Sequence, residues 1–116
     1  MQRNLITEWT NIDNADDPAG FIRRMDLARY GRESDPVMYQ LVGELLEVTE
    51  GQKILDIGCG TGGAVQVFAR HVGGTGKVVG VDISKTMIDE ARRRTRGLDF
   101  PMDFRHGDAH RLPLSR

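Results

Sequence analysis

The sequence predicts an α/β domain with a parallel sheet, preceded by helices, and three observations carry that expectation. After Gly51, short β-branched runs alternate with helical stretches. The boundaries between them fall at glycines or at a capping serine. The turn after the first run, Gly58 to Gly63, is rich in glycine. Strands that alternate with helices imply a parallel sheet joined by right-handed crossovers. At 116 residues the chain has the length of one domain or part of one.

Two styles of sequence meet near Gly51, so residues 1–50 are expected to form a helical lid or cap and residues 51–116 the sheet-bearing part. Asp17-Pro18 reads as an N-cap and first helical position, followed by Phe21, Ile22, Met25 and Ala28 at helical spacing. Asp35-Pro36 reads as a second start, with Met38, Leu41, Val42, Leu45 and Leu46 as an apolar stripe. Gly31 and Ser34 separate these helices, and Gly51 is expected to close the second. Trp9 is a candidate anchor for a short lead segment.

Beyond Gly51, Lys53 to Ile57 suits a buried parallel strand. Ala64 to Val72 reads as a helix and Val78 to Val81 as the second strand. Ser84 caps a helix through Arg94, with Met87, Ile88 and Ala91 inward and Gly97 at its end. Met102 to His106 is the third strand, followed by Gly107-Asp108-Ala109.

Bulk composition excludes several function classes. The formal net charge of -1 provides no global field towards nucleic acid or anionic lipid. Arg92, Arg93, Arg94 and Arg96 form a local exception, read as a solvated helix end suited to the macrodipole. Cys59 is the single cysteine, so no internal disulfide or cysteine zinc cluster can form, as suits a reducing cytoplasm. No apolar run approaches the roughly 20 residues of a membrane span, and the N-terminus lacks a signal-peptide core. The three histidines have no clustered partner set, so no metal site is expected.

The candidate site lies at the carboxyl ends of the strands, where open α/β sheets bind ligands. Gly58, Gly60 and Gly62 allow a tight turn and let a ligand approach bare backbone amides. Gly58-x-Gly60-x-x-Gly63 also fits a dinucleotide fingerprint. Asp56 weighs against that reading, because a pyrophosphate about 4 Å from a carboxylate is repelled by roughly 4 kcal/mol at an effective dielectric near 20. A ligand with an ammonium gains from the same carboxylate. Asp82, about twenty residues beyond the turn, is placed to receive ribose hydroxyls. Asp108 ends the third strand, placed to accept from an adenine amino group. On residue type His71, His106 and His110 are candidate bases, the first two more structural by position, and no catalytic residue is assigned.

These residues carry a resemblance. ILDIGCGTGG, VVGVDIS and HGDAHRLPL are similar, in order and spacing, to three motifs of the class I S-adenosyl-methionine-dependent methyltransferases, most closely the small-molecule ubiquinone- and menaquinone-biosynthesis group. The resemblance implies that Gly58, Cys59 and Gly60 line the methionine moiety, within a first motif that includes Asp56 and Gly62. It implies that Asp82 holds the ribose and that Ile83 and Met87 flank adenine or ribose. Gly107, Asp108 and Ala109 then meet the adenine edge. It implies a Rossmann-like fold, S-adenosyl-methionine as cofactor, S-adenosyl-homocysteine as product and a small-molecule methyl acceptor. The family continues into a fourth strand where this sequence reaches Ser115-Arg116. The expectation is therefore a cofactor-holding half with strands ordered 3-2-1, inactive alone, and a homo-oligomer through the open edge of the first strand.

Overall fold

A computed structural model describes residues 11–30 and 34–114, with side chains described for 11–27 and 37–114. Helices α1 (Pro18–Tyr30) and α2 (Ser34–Leu45) precede strand β1 (Lys53–Ile57) and helix α3 (Gly63–Val72). Strand β2 (Lys77–Asp82), helix α4 (Lys85–Thr95) and strand β3 (Met102–His106) follow. Trp9 and Gly31 lie outside the described residues.

The sheet has the order β1-β2-β3 and is parallel throughout, so read from the far edge it runs 3-2-1 as expected. Ile54 is in register with Val78, and Val78 with Met102. Two successive right-handed crossovers in the same direction put both helices on one face of the sheet. The core forms there, from Val65, Phe68, Ala69 and Val72 of α3, Ile88 and Ala91 of α4, Val78 and Phe104. A Cβ on Gly80 would lie 2.9 Å from Cys59 Sγ and 3.0 Å from the Phe104 ring, so only glycine lets the turn after β1 pack over β2.

Strand β1 departs from the buried strand that its composition suggests. Ile54 packs against the core, but Leu55 is 38% and Ile57 51% exposed on the other face. Parallel strands are buried on both faces only when helices cover both. Here α3 and α4 cover one, and no described strand pairs with the outer edge of β1.

The lead helices divide in the same way. Asp17 caps α1 through a hydrogen bond from the Gly20 amide at 2.9 Å, and Phe21, Ile22 and Met25 are buried as the spacing predicts. Helix α2 begins at Ser34, and it turns Val42 and Gly43 towards Phe68 of α3. Met38, Leu41, Leu45 and Leu46, the greater part of the predicted stripe, are exposed instead. The apolar arc of α2 is wider than its contact with α3.

Helix α2 also ends at Leu45, well before Gly51. Val48 donates to the Gly43 carbonyl at 2.9 Å and Glu47 to the Glu44 carbonyl at 3.0 Å, the two bonds of a Schellman turn. Glu47 takes the left-handed conformation (φ 53°) that usually belongs to glycine there.

Candidate functional site

The turn between β1 and α3 is set by left-handed glycines, Gly58 (φ 76°), Gly60 (φ 55°) and Gly62 (φ 87°). A Cβ at Gly58 or Gly60 would meet nothing within 4 Å, so both present open backbone to the space above the sheet. Gly62 differs, because a Cβ there would lie 2.7 Å from the Phe104 ring. That glycine serves packing.

Four amides of this turn are bonded within the protein. Gly58 and Cys59 both donate to the Val81 carbonyl, at 2.7 and 3.0 Å. The Gly60 amide donates to Asp82 Oδ2 at 2.9 Å, and the Gly62 amide to the Cys59 carbonyl at 3.0 Å. The bare amides anticipated from the glycine pattern are thus already engaged at these four positions. A glycine pattern fixes where the chain can turn, not which way its N–H groups face.

Asp82 therefore joins two loops. Its Oδ2 accepts from Gly60, and its Oδ1 accepts from the Ser84 amide at 2.8 Å. Each oxygen keeps acceptor capacity for a further donor. Asp56 lies within the field of this group. Burial, then the negative charge of Asp82, push the Asp56 carboxyl above its ordinary value. Burial, then Asp82 and Asp56, push the Cys59 thiol up to about 12, so Cys59 is a neutral packing residue.

Two cavities meet at Asp82. The larger, 460 Å³, is lined by Gly58, Gly60, Asp82, Ile83 and Met87 together with Asn11, Ile12, Asp13, Met25 and Ser84. The second, 340 Å³, shares Gly58, Asp82 and Ile83 and adds Ile57, Val81, Gly107, Asp108, Ala109 and His110. Asp56, Cys59 and Gly62 line neither. Ile83 stands exposed at the common boundary, whereas Met87 is buried against Ile12 and Met25. Asp108 folds on its own turn, accepting from the His110 amide at 2.8 Å. Gly107 leaves room for Pro113, which a Cβ would approach to 2.8 Å.

The other histidines are tied into the backbone: His71 Nδ1 lies 2.9 Å from the Val67 carbonyl and His106 Nε2 2.9 Å from that of Ile83. Arg92, Arg93 and Arg96 are exposed, as a solvated helix end predicts, but the run also braces the fold. Arg92 donates to the Phe104 carbonyl at 2.7 Å, and Arg94 reaches Asp26, Glu90 and the Thr61 hydroxyl of the glycine turn. Sequence patterning missed Asn11, Ile12, Asp13, Met25 and Ser84 as cavity residues. Ser84 had a signal as a helix cap, but nothing in a polar lead segment marks Asp13 for a partner seventy-one residues away. Among the described residues no group of three or more His, Cys, Asp or Glu is placed to hold a metal ion. Nor is any described helix long and apolar enough to cross a membrane.

Residues 54–116, more than half of the chain and the whole of the glycine turn, Asp82 and Asp108, match the methyltransferase domain family. The chain belongs to that family. Demethylmenaquinone methyltransferase of Staphylococcus saprophyticus is 38% identical over 69 residues, covering 60% of this chain and 29% of that protein. Among solved structures, a protein-L-isoaspartate O-methyltransferase matches with a TM-score of 0.60 at 32% identity, over 66% of this chain and 24% of its own. The cyclase SpnF matches with a TM-score of 0.59 at 31% identity, over 71% and 30%. The chain spans between 20% and 34% of the length of the curated relatives it matches.

Proposed function

We propose that this chain is the cofactor-binding part of an S-adenosyl-methionine-dependent methyltransferase that acts on a small molecule. One observation carries the reading: Asp56 and Asp82 flank a glycine turn whose amides at Gly58, Cys59 and Gly60 are already bonded inward. A pyrophosphate needs free N–H donors at such a turn, whereas a ligand with an ammonium and ribose hydroxyls needs acceptors. The open backbone at Gly58 and Gly60 and the joined cavities fit the adenosyl cofactor on that count.

The cofactor supplies a methyl group activated on a sulfonium. Asp56 holds the ammonium end by its field, with Gly58, Cys59 and Gly60 beneath the methionine chain. Asp82 takes ribose hydroxyls on the lone pairs left free by Gly60 and Ser84. Ile83 and Met87 bound the ring system, and Gly107, Asp108 and Ala109 meet the adenine edge. Methyl transfer needs in-line approach of a nucleophile, so positioning can supply much of the rate without a dedicated base. Residues 1–50 act as the cap over this half-site, as the contribution of Asn11, Ile12, Asp13 and Met25 to the larger cavity supports.

A second reading is a chain that binds the cofactor without transferring its methyl group, supported by the likeness to a protein named a cyclase rather than a methyltransferase. The open edge of β1, with Leu55 and Ile57 exposed beside it, is the proposed contact of a homo-oligomer, which sedimentation equilibrium would detect. A cytoplasmic location accords with a sequence that has a single cysteine and so no internal disulfide. Isothermal titration tests the main reading: S-adenosyl-homocysteine should bind, and tighter binding of NAD would overturn it.

A further inference from the structure

The lead segment grips α4 near both of its ends. At the N-terminal end, the Asp13 carboxylate accepts from the Lys85 amide at 2.8 Å, the Thr86 amide at 3.0 Å and the Ser84 hydroxyl at 2.6 Å. Ser84 Oγ in turn accepts from the Met87 amide at 3.1 Å as the N-cap of the helix. At the other end, Arg94 Nη1 donates to Asp26 Oδ1 at 3.2 Å and to the Thr61 hydroxyl at 3.3 Å. Between the two grips Ile12, Phe21, Ile22 and Met25 close over Met87.

The first grip bears on the site. An anion on first-turn amides is favoured by the helix dipole and makes charge-assisted hydrogen bonds. Desolvation pushes the Asp13 carboxyl up, but the bonds from Ser84, Thr86 and Lys85 outweigh it and hold its pKa down to about 2, so the anion persists at any physiological pH. Contacts then run without a break from Asp13 to Ser84, from the Ser84 amide to Asp82, and from Asp82 to the Gly60 amide. Asn11, Ile12 and Asp13 also form a wall of the 460 Å³ cavity. The carboxylate is therefore the joint between that wall and the loop that orients Asp82.

We propose that Asp13 is a positioning residue, a latch that holds the wall Asn11–Asp13 against the N-terminus of α4 and so sets how long the adenosyl ligand stays bound. The proposal rests on the reading of the cavity as the cofactor site. With the latch cut, the wall swings from α4 and Ser84 loses its partner, while Asp56, Asp82 and the glycine turn remain to make the first encounter. Release is affected more than capture.

The test measures S-adenosyl-homocysteine release by stopped-flow displacement in the wild-type chain, in Asp13→Asn and Asp13→Glu, and in Ile88→Val. The last variant loosens the sheet-side core at a residue that lines neither cavity. Asp13→Asn should release at least tenfold faster, with a smaller change in association rate and with faster hydrogen exchange at the Lys85 and Thr86 amides. Asp13→Glu, which keeps the charge, should recover part of the effect, and Ile88→Val should release as wild type does. Release from Asp13→Asn at the wild-type rate, in a chain that binds, would overturn the latch alone. So would equal acceleration in Ile88→Val. A wild-type chain that binds no S-adenosyl-homocysteine would overturn the site reading and the latch with it.

Discussion

Asp82 Oδ2 accepts the Gly60 amide at 2.9 Å, so the acid that ends β2 also fixes the turn that leaves β1. The residue expected to hold ribose is thus part of the scaffold of the neighbouring loop. Asp82→Ala removes both functions. It should weaken S-adenosyl-homocysteine binding by about 1.5–3 kcal/mol, the scale of a hydrogen bond to a charged group. It should also lower the unfolding midpoint of the ligand-free chain, because the Gly60 and Ser84 amides lose their acceptor. Isothermal titration and thermal melts separate the two effects. An unchanged dissociation constant would place the ribose elsewhere.

Asp56 gives a pH dependence of known sign. Its carboxyl is raised in the folded chain by burial and by Asp82. The folded state therefore binds more protons than the unfolded state between the unfolded and folded values, and stability falls as pH rises through that window. Asp56→Asn should accordingly melt higher than wild type at neutral pH. Ligand affinity runs the other way, because an ammonium is held by the ionised acid. Affinity of the wild type for S-adenosyl-homocysteine should fall as pH drops through the raised value, and Asp56→Asn should be weak and flat across the same range. Titrations at a series of pH values check both.

Arg94 braces three elements, through Asp26 on α1, Glu90 on α4 and Thr61 in the glycine turn. Arg94→Met keeps most of the apolar stem and leaves the carboxylates of Asp26 and Glu90 without their shared partner. Denaturant unfolding should show a loss of about 1–3 kcal/mol. Arg94→Lys should recover only part of it, since one ammonium cannot span the positions that a guanidinium fork reaches.

Much of this arrangement was legible in the sequence because it is local. The strands fall within a residue of where the β-branched runs place them, and Ser84 caps α4 as its position predicts. The less legible features depend on partners distant in the chain or on direction. Asp13 finds its amides across seventy residues, and the inward turn of the Gly58 and Cys59 amides depends on the Val81 carbonyl of the adjacent strand. The apolar arc of α2 does not reveal which half meets α3. Its end was misplaced because glycine is the usual mark of a left-handed cap, and here Glu47 takes that role. Glu47→Gly should therefore stabilise the fold by about 0.5–1 kcal/mol, by removing the left-handed penalty at an exposed site. Chemical denaturation measures it, and a destabilised variant would show that the glutamate side chain contributes to the turn.

Two acids beside an inward-bonded glycine turn should select an adenosyl ligand that carries an ammonium. A calorimetric comparison of S-adenosyl-homocysteine, 5′-methylthioadenosine and NAD on the wild-type chain and on Asp56→Asn tests it most directly. The wild type should bind S-adenosyl-homocysteine most tightly and methylthioadenosine, which lacks the amino-acid end, more weakly, with NAD weakest. Asp56→Asn should lose affinity for the first ligand and keep its affinity for the second. NAD binding above S-adenosyl-homocysteine, or an equal loss for both adenosyl ligands in Asp56→Asn, would contradict selection by the two acids.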